Sequence, residues 1–214
     1  MGRPYIKTYR VCAGIIGLLA LLGVALQFCT AIPAFLANGR TLAGSLVEFF
    51  SFFTIQSNLL VAISLFITSV TPIRKNQFFN QPSVVTAITV YISIVSLVYN
   101  LLLSQLANYK GMAKLGDELV HLIVPVLVIV YWLTAVLKDK ITWKDTIRWL
   151  WYPAAYLVYI FIRGALSGFY PYFFLDAAKF GYPKVLVNIV VLMLVFFCFS
   201  IFYVAIARFI SRTS

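Results

Sequence analysis

The stretch FFSFFTIQSNLLVAISLF, residues 49–66, places a cluster of polar side chains inside an otherwise apolar run. Thr54, Gln56, Ser57 and Asn58 fall within five residues, and apolar side chains flank them on both sides. A helix needs about 20 mostly apolar residues to cross the hydrocarbon core of a bilayer, and this run belongs to a segment of that length. Polar groups at such a depth normally face other helices or a water-filled space. The stretch therefore predicts a membrane helix with a polar interior face.

The composition of the whole chain is that of an integral membrane protein. Of its 214 residues 63% are hydrophobic and 11% are charged, whereas a soluble domain must keep its exterior wetted. The formal net charge of +11 does not indicate a nucleic-acid partner, because the basic residues lie between apolar runs, where topology signals belong. The three cysteines are expected to be buried apolar filler, and one histidine is too few for a His/Cys zinc site. No metal and no cofactor are expected.

The apolar runs predict an all-helical membrane fold, with one domain over residues 1–214. Six spans are expected, at residues 11–32, 45–70, 84–106, 118–137, 149–169 and 185–207. Polar segments separate the later ones, at 71–82, 108–117, 138–145 and 170–183. Eleven Lys and Arg residues fall on the side of the N-terminus and five on the other side. The positive-inside rule then places both termini in the cytoplasm, and the compact loops suggest a bacterial inner membrane.

Polar residues from several predicted spans fall at one depth, in the extracytoplasmic half. They predict an internal polar cavity that opens toward the extracytoplasmic side. The candidate site residues are Ser51, Thr54, Asn58, Asn100, Asp117, Glu118, His121, Arg163, Ser167 and Asp176. An arginine within a span costs about 2.5–3.5 kcal/mol on insertion scales, so it normally has a partner. For Arg163 that partner could be Asp176, Glu118 or Glu48.

A hydroxyl and a histidine are the minimum for nucleophilic catalysis. An imidazole can activate an otherwise weak hydroxyl, and Asp117 or Glu118 could orient the imidazole of His121. Hydrogen bonds to a developing oxyanion could come from Asn58, Asn100 or Arg163. Structural explanations stay open beside these roles. Serine and threonine hydroxyls often bond to their own helix, and the two asparagines could simply join helices.

Three short motifs resemble the androgen-induced gene family of six-helix membrane proteins and its bacterial relatives: FFTIQSNLL, HLIVP and GFYPYFFLD. The resemblance implies a threonine hydrolase that splits fatty acid esters of hydroxy fatty acids. By these motifs the nucleophile is Thr54 and the base is His121. A membrane lipid ester is then the expected partner.

The substrate-binding residues beside this pair are expected to be Arg163, Ser51, Ser167 and Asp176, with Arg163 holding a carboxylate of the substrate. The alternative function is a non-catalytic membrane protein that binds or transports a lipid or a small anion. The oligomeric state stays open at this level.

Overall fold

The structure, a computed structural model, describes residues 3–71, 77–106 and 108–213, and within these ranges it contains helices and turns but no strand. In chain order the α-helices are α1 (Arg3–Ala37), α2 (Leu42–Phe50), α3 (Phe53–Val70), α4 (Pro82–Val98), α5 (Gly111–Glu118), α6 (Val124–Ala135), α7 (Asp145–Arg148), α8 (Trp151–Ser167), α9 (Ala177–Phe180) and α10 (Tyr182–Thr213). Two π-helical segments, Tyr99–Leu103 and Leu119–Ile123, continue α4 and join α5 to α6.

Five helices in the described ranges are long and apolar enough to cross a membrane. They cover Lys7–Ala37, Phe53–Val70, Pro82–Leu103, Gly111–Ala135 and Tyr182–Thr213. The expected span at 149–169 corresponds to α8, which has 17 residues and is not among the five. The chain is thus all-helical with five candidate membrane helices, and the sixth span and the polar cavity stay predictions.

Apolar side chains cover much of the outer helix surface, as a bilayer environment requires. On α10 an exposed stripe recurs at helical spacing, formed by Leu186, Val187, Val190, Val191 and Leu194. The three cysteines are exposed as well, so the expectation that they fill the core is wrong. In a bilayer an apolar residue gains little from facing inward, so the hydrophobicity of a residue in a membrane helix does not predict its burial.

Two expected boundaries need correction. The span expected at 45–70 is two helices, because Phe52 is extended between α2 and α3. The polar segment expected at 108–117 is mostly helical, since α5 begins at Gly111. Gly116 explains why this polar turn can pack: a Cβ there would lie 3.0 Å from the Cβ of Leu26 on α1. The absence of a side chain at Gly116 therefore lets the end of α5 approach α1 closely, although this turn is polar.

The chain divides into two compact units, residues 1–140 and 141–214. The single domain over 1–214 that the sequence predicts is not tested by this division and stays a prediction. The units are described separately below.

Small residues bring α1 against α3 in the first unit. Ala13 and Ala20 are fully buried, and a Cβ on Gly17 would lie 3.3 Å from the backbone oxygen of Ala62. Backbones that approach this closely gain dispersion contacts, which replace the hydrophobic effect as the source of helix association in lipid. Further along α1, a buried cluster joins α1, α2 and α3, formed by Val24, Ile32, Phe49 and Ile55.

In the second unit, the segment after α8 folds back onto that helix. Gly168 ends α8 with a φ of 68°, the left-handed conformation that glycine adopts without strain. The ring of Tyr170 then lies over Gly164, where a Cβ would meet the ring at 2.1 Å. Asn188 of α10 donates to the backbone oxygen of Phe174 at 2.7 Å and so holds the turn at 173–175.

Candidate functional site

An Asp–His pair forms the centre of the candidate site. Asp117 and His121 lie one turn apart, and the Nδ1 of His121 is 3.0 Å from Oδ1 of Asp117 and 3.1 Å from its backbone oxygen. Both neighbours of Nδ1 are hydrogen-bond acceptors, so Nδ1 must carry a proton. In the neutral imidazole the lone pair is then on Nε2, the nitrogen that can accept a proton. The pair is thus arranged as the acid and base of a catalytic triad are.

Tyr99 holds both members of this pair. Its hydroxyl donates to Oδ2 of Asp117 at 2.6 Å, a length typical of a charge-assisted hydrogen bond. Its ring stacks on the imidazole of His121, with centroids 3.5 Å apart and planes 7° apart. Burial raises the pKa of nearby Tyr109, and the negative charge of Asp117 adds to that rise. The carboxyl group of Asp117 is therefore in contact with one tyrosine, Tyr99, and close to a second, Tyr109.

His121 lies on a π-helical turn in which one backbone carbonyl lacks its N–H donor, because the donor position is a proline. The N–H of Val124 reaches back five residues to Leu119, and the same spacing assigns residue 125 to the carbonyl of Val120. Residue 125 is proline and has no N–H. The side chain of Asn58 supplies the missing bond, since its Nδ2 donates to Val120 at 3.1 Å.

The same amide nitrogen of Asn58 also donates to the backbone oxygen of Thr54, at 2.9 Å. It thereby links the Thr54 turn of α3 to the residue before His121. Its two amide hydrogens serve these two carbonyls, and the oxyanion or orienting role expected of Asn58 stays a prediction. Its Oδ1 is buried and has no partner within the described residues.

Asn100 plays a similar and weaker part. Its Nδ2 donates to the backbone oxygen of Ser96 at 2.8 Å and approaches that of His121 at 3.4 Å. Ser93 and Ser104 also bond to carbonyls of their own helix, four residues back. Bonds of a serine hydroxyl to its own helix are one of the structural explanations that the sequence leaves open, and the oxyanion or orienting role expected of Asn100 stays a prediction.

The polar residues of the opening stretch serve different ends. The side chain of Gln56 donates to the backbone oxygen of Phe50 at 2.8 Å and so caps the broken end of α2, while Ser51 donates to Val47 at 2.5 Å. Thr54 is buried on the same face of α3 as Ser57 and Asn58. The hydroxyl of Ser57 is buried without a partner in the described part of the chain. The contact expected between Thr54 and His121 stays a prediction.

The acids expected to balance Arg163 have other partners. Glu48 pairs with Arg40 at 3.2 Å, and Glu118 pairs with Lys114 at 3.7 Å rather than with the imidazole. Asp176 caps α9 by accepting from the backbone N–H of Lys179.

The guanidinium of Arg163 instead lies over the ring of Phe169, 4.6 Å from its centroid, and donates to the backbone oxygen of Phe169 at 3.4 Å. Ser167 donates to the backbone oxygen of Arg163. Arg163, Ser167 and Asp176 thus form local contacts within the second unit, and their role toward a substrate stays a prediction.

Comparison of this chain with protein-family models, curated proteins and solved structures gave no match. The family resemblance of the three motifs therefore remains a hypothesis, and the site must be argued from its own geometry.

Sequence reasoning missed Tyr99, which contacts both members of the Asp–His pair. A signal was present, because Tyr99 directly precedes Asn100, at the depth where the other polar groups were expected. Its pairing with Asp117 joins different helices, and one sequence does not reveal such a contact. The two π-helical segments that carry Tyr99 and His121 were not expected either, although such turns often mark functional sites.

Proposed function

We propose that this protein is an intramembrane hydrolase of lipid esters, with Thr54 as nucleophile and His121 as general base. The observation that supports the proposal is the Asp117–His121 pair, in which Nδ1 faces two acceptors and Nε2 keeps the lone pair. The hydroxyl of Tyr99 and its stacked ring favour a fixed orientation of that imidazole. Thr54 is the candidate nucleophile because Asn58 ties its turn of α3 to the residue that precedes His121.

In the proposed reaction the Oγ1 of Thr54 attacks the ester carbonyl carbon while Nε2 of His121 takes the hydroxyl proton. The carbon–oxygen bond to the alcohol then breaks, and the departing oxygen receives that proton. Water attacks the acyl-threonine in the same way, which releases the fatty acid and restores the hydroxyl. Asp117 stabilises the imidazolium that forms in each half-reaction. Fatty acid esters of hydroxy fatty acids are the substrate class that the family resemblance favours.

The architecture that goes with this proposal has six spans, both termini in the cytoplasm of a bacterium and a polar cavity in the extracytoplasmic half. The span that this architecture adds to the five long apolar helices is α8, whose 17 residues are at the lower limit for crossing a bilayer. Reporter fusions that are active only in the cytoplasm or only outside it test this topology. Fusions after residues 140 and 213 should report the cytoplasm, and a fusion within 170–181 the opposite side. A fusion within 170–181 that reports the cytoplasm would remove α8 from the set of spans.

A second candidate is a lipid-binding protein without catalysis. The observation that favours it is the use of both asparagine amides on backbone carbonyls, which leaves neither as a clear oxyanion donor. A binder retains its lipid unchanged and forms no acyl-enzyme, whereas a hydrolase turns the ester over.

The test of the hydrolase is labelling of the purified protein by a fluorophosphonate probe, followed by intact mass spectrometry. The wild-type chain and Thr54→Ser should form a covalent adduct of one probe per chain. Thr54→Ala and His121→Ala should form none, because the first lacks the hydroxyl and the second lacks its base. Asp117→Asn should label at least about tenfold more slowly, since the imidazolium loses its counter-charge.

Ser57→Ala is the matched control, because Ser57 is a buried hydroxyl one turn from Thr54 on the same helix face. This variant should label at the wild-type rate. If Thr54→Ala still forms the adduct and Ser57→Ala does not, the nucleophile is Ser57 rather than Thr54. Absence of any adduct on the folded wild-type chain, together with retention of an intact ester, would favour the binding protein.

A further inference from the structure

The guanidinium of Arg163, in the second unit, is only partly hydrogen-bonded within the described residues. Its Nε is buried and has no hydrogen-bond partner within the described residues. Its Nη1 reaches only the backbone oxygen of Phe169, at 3.4 Å. A buried donor on a charged group is costly when it is unpaired, so the guanidinium needs an acceptor that the described chain does not provide.

The turn after α8 fixes this guanidinium in place. Its planar group lies 4.6 Å from the centroid of the Phe169 ring, a cation–π geometry that limits its rotation. The hydroxyl of Ser167 accepts from the backbone N–H of Phe169 and donates to the backbone oxygen of Arg163. An arginine held in one orientation loses little conformational freedom when it binds an anion.

The surface around Arg163 is apolar. Ile162 and Leu166 flank it along α8 and are 59% and 85% exposed. A small hydrophilic anion has little reason to enter such a surface, whereas an anionic lipid can lay its acyl chains on it. A guanidinium matches the oxygens of a phosphate better than an ammonium does.

We propose that Arg163 is the phosphate-binding residue of an anionic-lipid site on α8, with the acyl chains packed along Ile162 and Leu166. The site is formed by residues of the second unit alone, and it does not depend on the proposed hydrolase activity. Phe169 supports the site by holding the guanidinium.

The test uses the purified full chain and native mass spectrometry after exchange into micelles that contain either phosphatidylglycerol or phosphatidylcholine. The wild-type chain should retain phosphatidylglycerol in preference. Arg163→Gln should bind it roughly tenfold or more weakly, the loss expected for a hydrogen bond to a charged group. Phe169→Leu should weaken binding by a few-fold, the worth of an exposed cation–π contact. Arg208→Gln is the control, because it removes the same charge from an exposed position on α10.

The preference for phosphatidylglycerol should survive in Arg208→Gln. Equal retention of this lipid by Arg163→Gln and wild type would overturn the site, provided that both give the same thermal unfolding profile. Arg163→Lys keeps the charge but lacks Nε, and it should show an intermediate affinity. Inorganic phosphate is the second probe, and the rise in unfolding temperature that it causes is compared with the rise caused by the lipid. If phosphate raises the unfolding temperature as much as the lipid does, and only when Arg163 is present, the lipid assignment is overturned and the site binds a soluble anion.

Discussion

The bond from Asn58 to the π-helical turn gives the sharpest test of how the candidate site is held together. The carbonyl of Val120 lacks the donor that residue 125 would supply in the five-residue spacing, and Asn58 takes that place. Replacement of Asn58 by leucine therefore leaves a buried carbonyl unpaired. A new backbone N–H, introduced by Pro125→Ala, should satisfy it again.

The expected size follows from the two bonds involved. Interhelical hydrogen bonds in membranes contribute about 0.6 kcal/mol on average and up to about 1.7, and an unpaired buried carbonyl costs about 1–3 kcal/mol. Leucine also removes the unpartnered Oδ1 of Asn58, which returns part of this cost. Asn58→Leu should thus lower the free energy of unfolding by about 2 kcal/mol in the wild-type background, and by about 1 kcal/mol less when Pro125→Ala is present.

The assay is a double-mutant cycle, with the free energy of unfolding measured by SDS titration in mixed micelles. Pro33→Ala replaces another helix proline, within α1, and serves as the uncoupled control. Equal destabilisation by Asn58→Leu with and without Pro125→Ala would refute the inference that Asn58 replaces the donor lost to the proline. Coupling of the same size with Pro33→Ala would show that the effect is general to helix prolines.

Three further perturbations follow from the packing and charge of the first unit. Gly23→Ala should lower the free energy of unfolding by about 1–3 kcal/mol, because its Cβ would lie 2.8 Å from a side-chain carbon on the π-helical turn. In the same SDS titration Gly14→Ala should be nearly neutral, since its Cβ would lie 3.4 Å from the nearest neighbouring atom. Burial lowers the pKa of Lys138 to about 8 from 10.5, so the unfolded chain binds more protons between these values and stability should rise with pH across that window. Lys138→Met should abolish that rise, and an unchanged pH profile in the variant would contradict the assignment to this lysine. Tyr99→Phe keeps the ring that stacks on His121 and loses only the 2.6 Å hydrogen bond, whereas Tyr99→Leu loses both contacts. Tyr99→Phe should therefore slow probe labelling less than Tyr99→Leu, and equal labelling rates in the two variants would exclude a role for the stacked ring.

The Asp–His pair shows how far one sequence can lead. The spacing of Asp117 and His121 placed both on one helix face, and the structure joins them at 3.0 Å. Glu118 was an equal candidate by proximity in sequence, but it lies one position further round the helix and pairs with Lys114 instead. Contacts within a turn follow from helix geometry and are therefore predictable.

The contacts that cross between helices could not be predicted in this way. Tyr99 meets Asp117, and Asn58 meets Val120, only because packing brings separate helices to one level. An ion pair with an acid was one of the alternatives for Arg163, and the turn after α8 places its guanidinium against Phe169 instead. In lipid the helices associate through local shape and a few polar bonds, so composition does not specify which faces meet.

The sequence by itself determined the all-helical class of this protein and the approximate position of most of its long apolar helices, because the length and apolarity of a run suffice for these. Only the tertiary structure decided that the run around residues 49–66 breaks at Phe52, and that its polar residues make different contacts. Gln56 caps the break and Asn58 replaces a donor lost to a proline 67 positions further along the chain. A backbone group left unpaired in lipid must find a donor wherever the fold provides one, and the fold, rather than the local sequence, determines where that donor is.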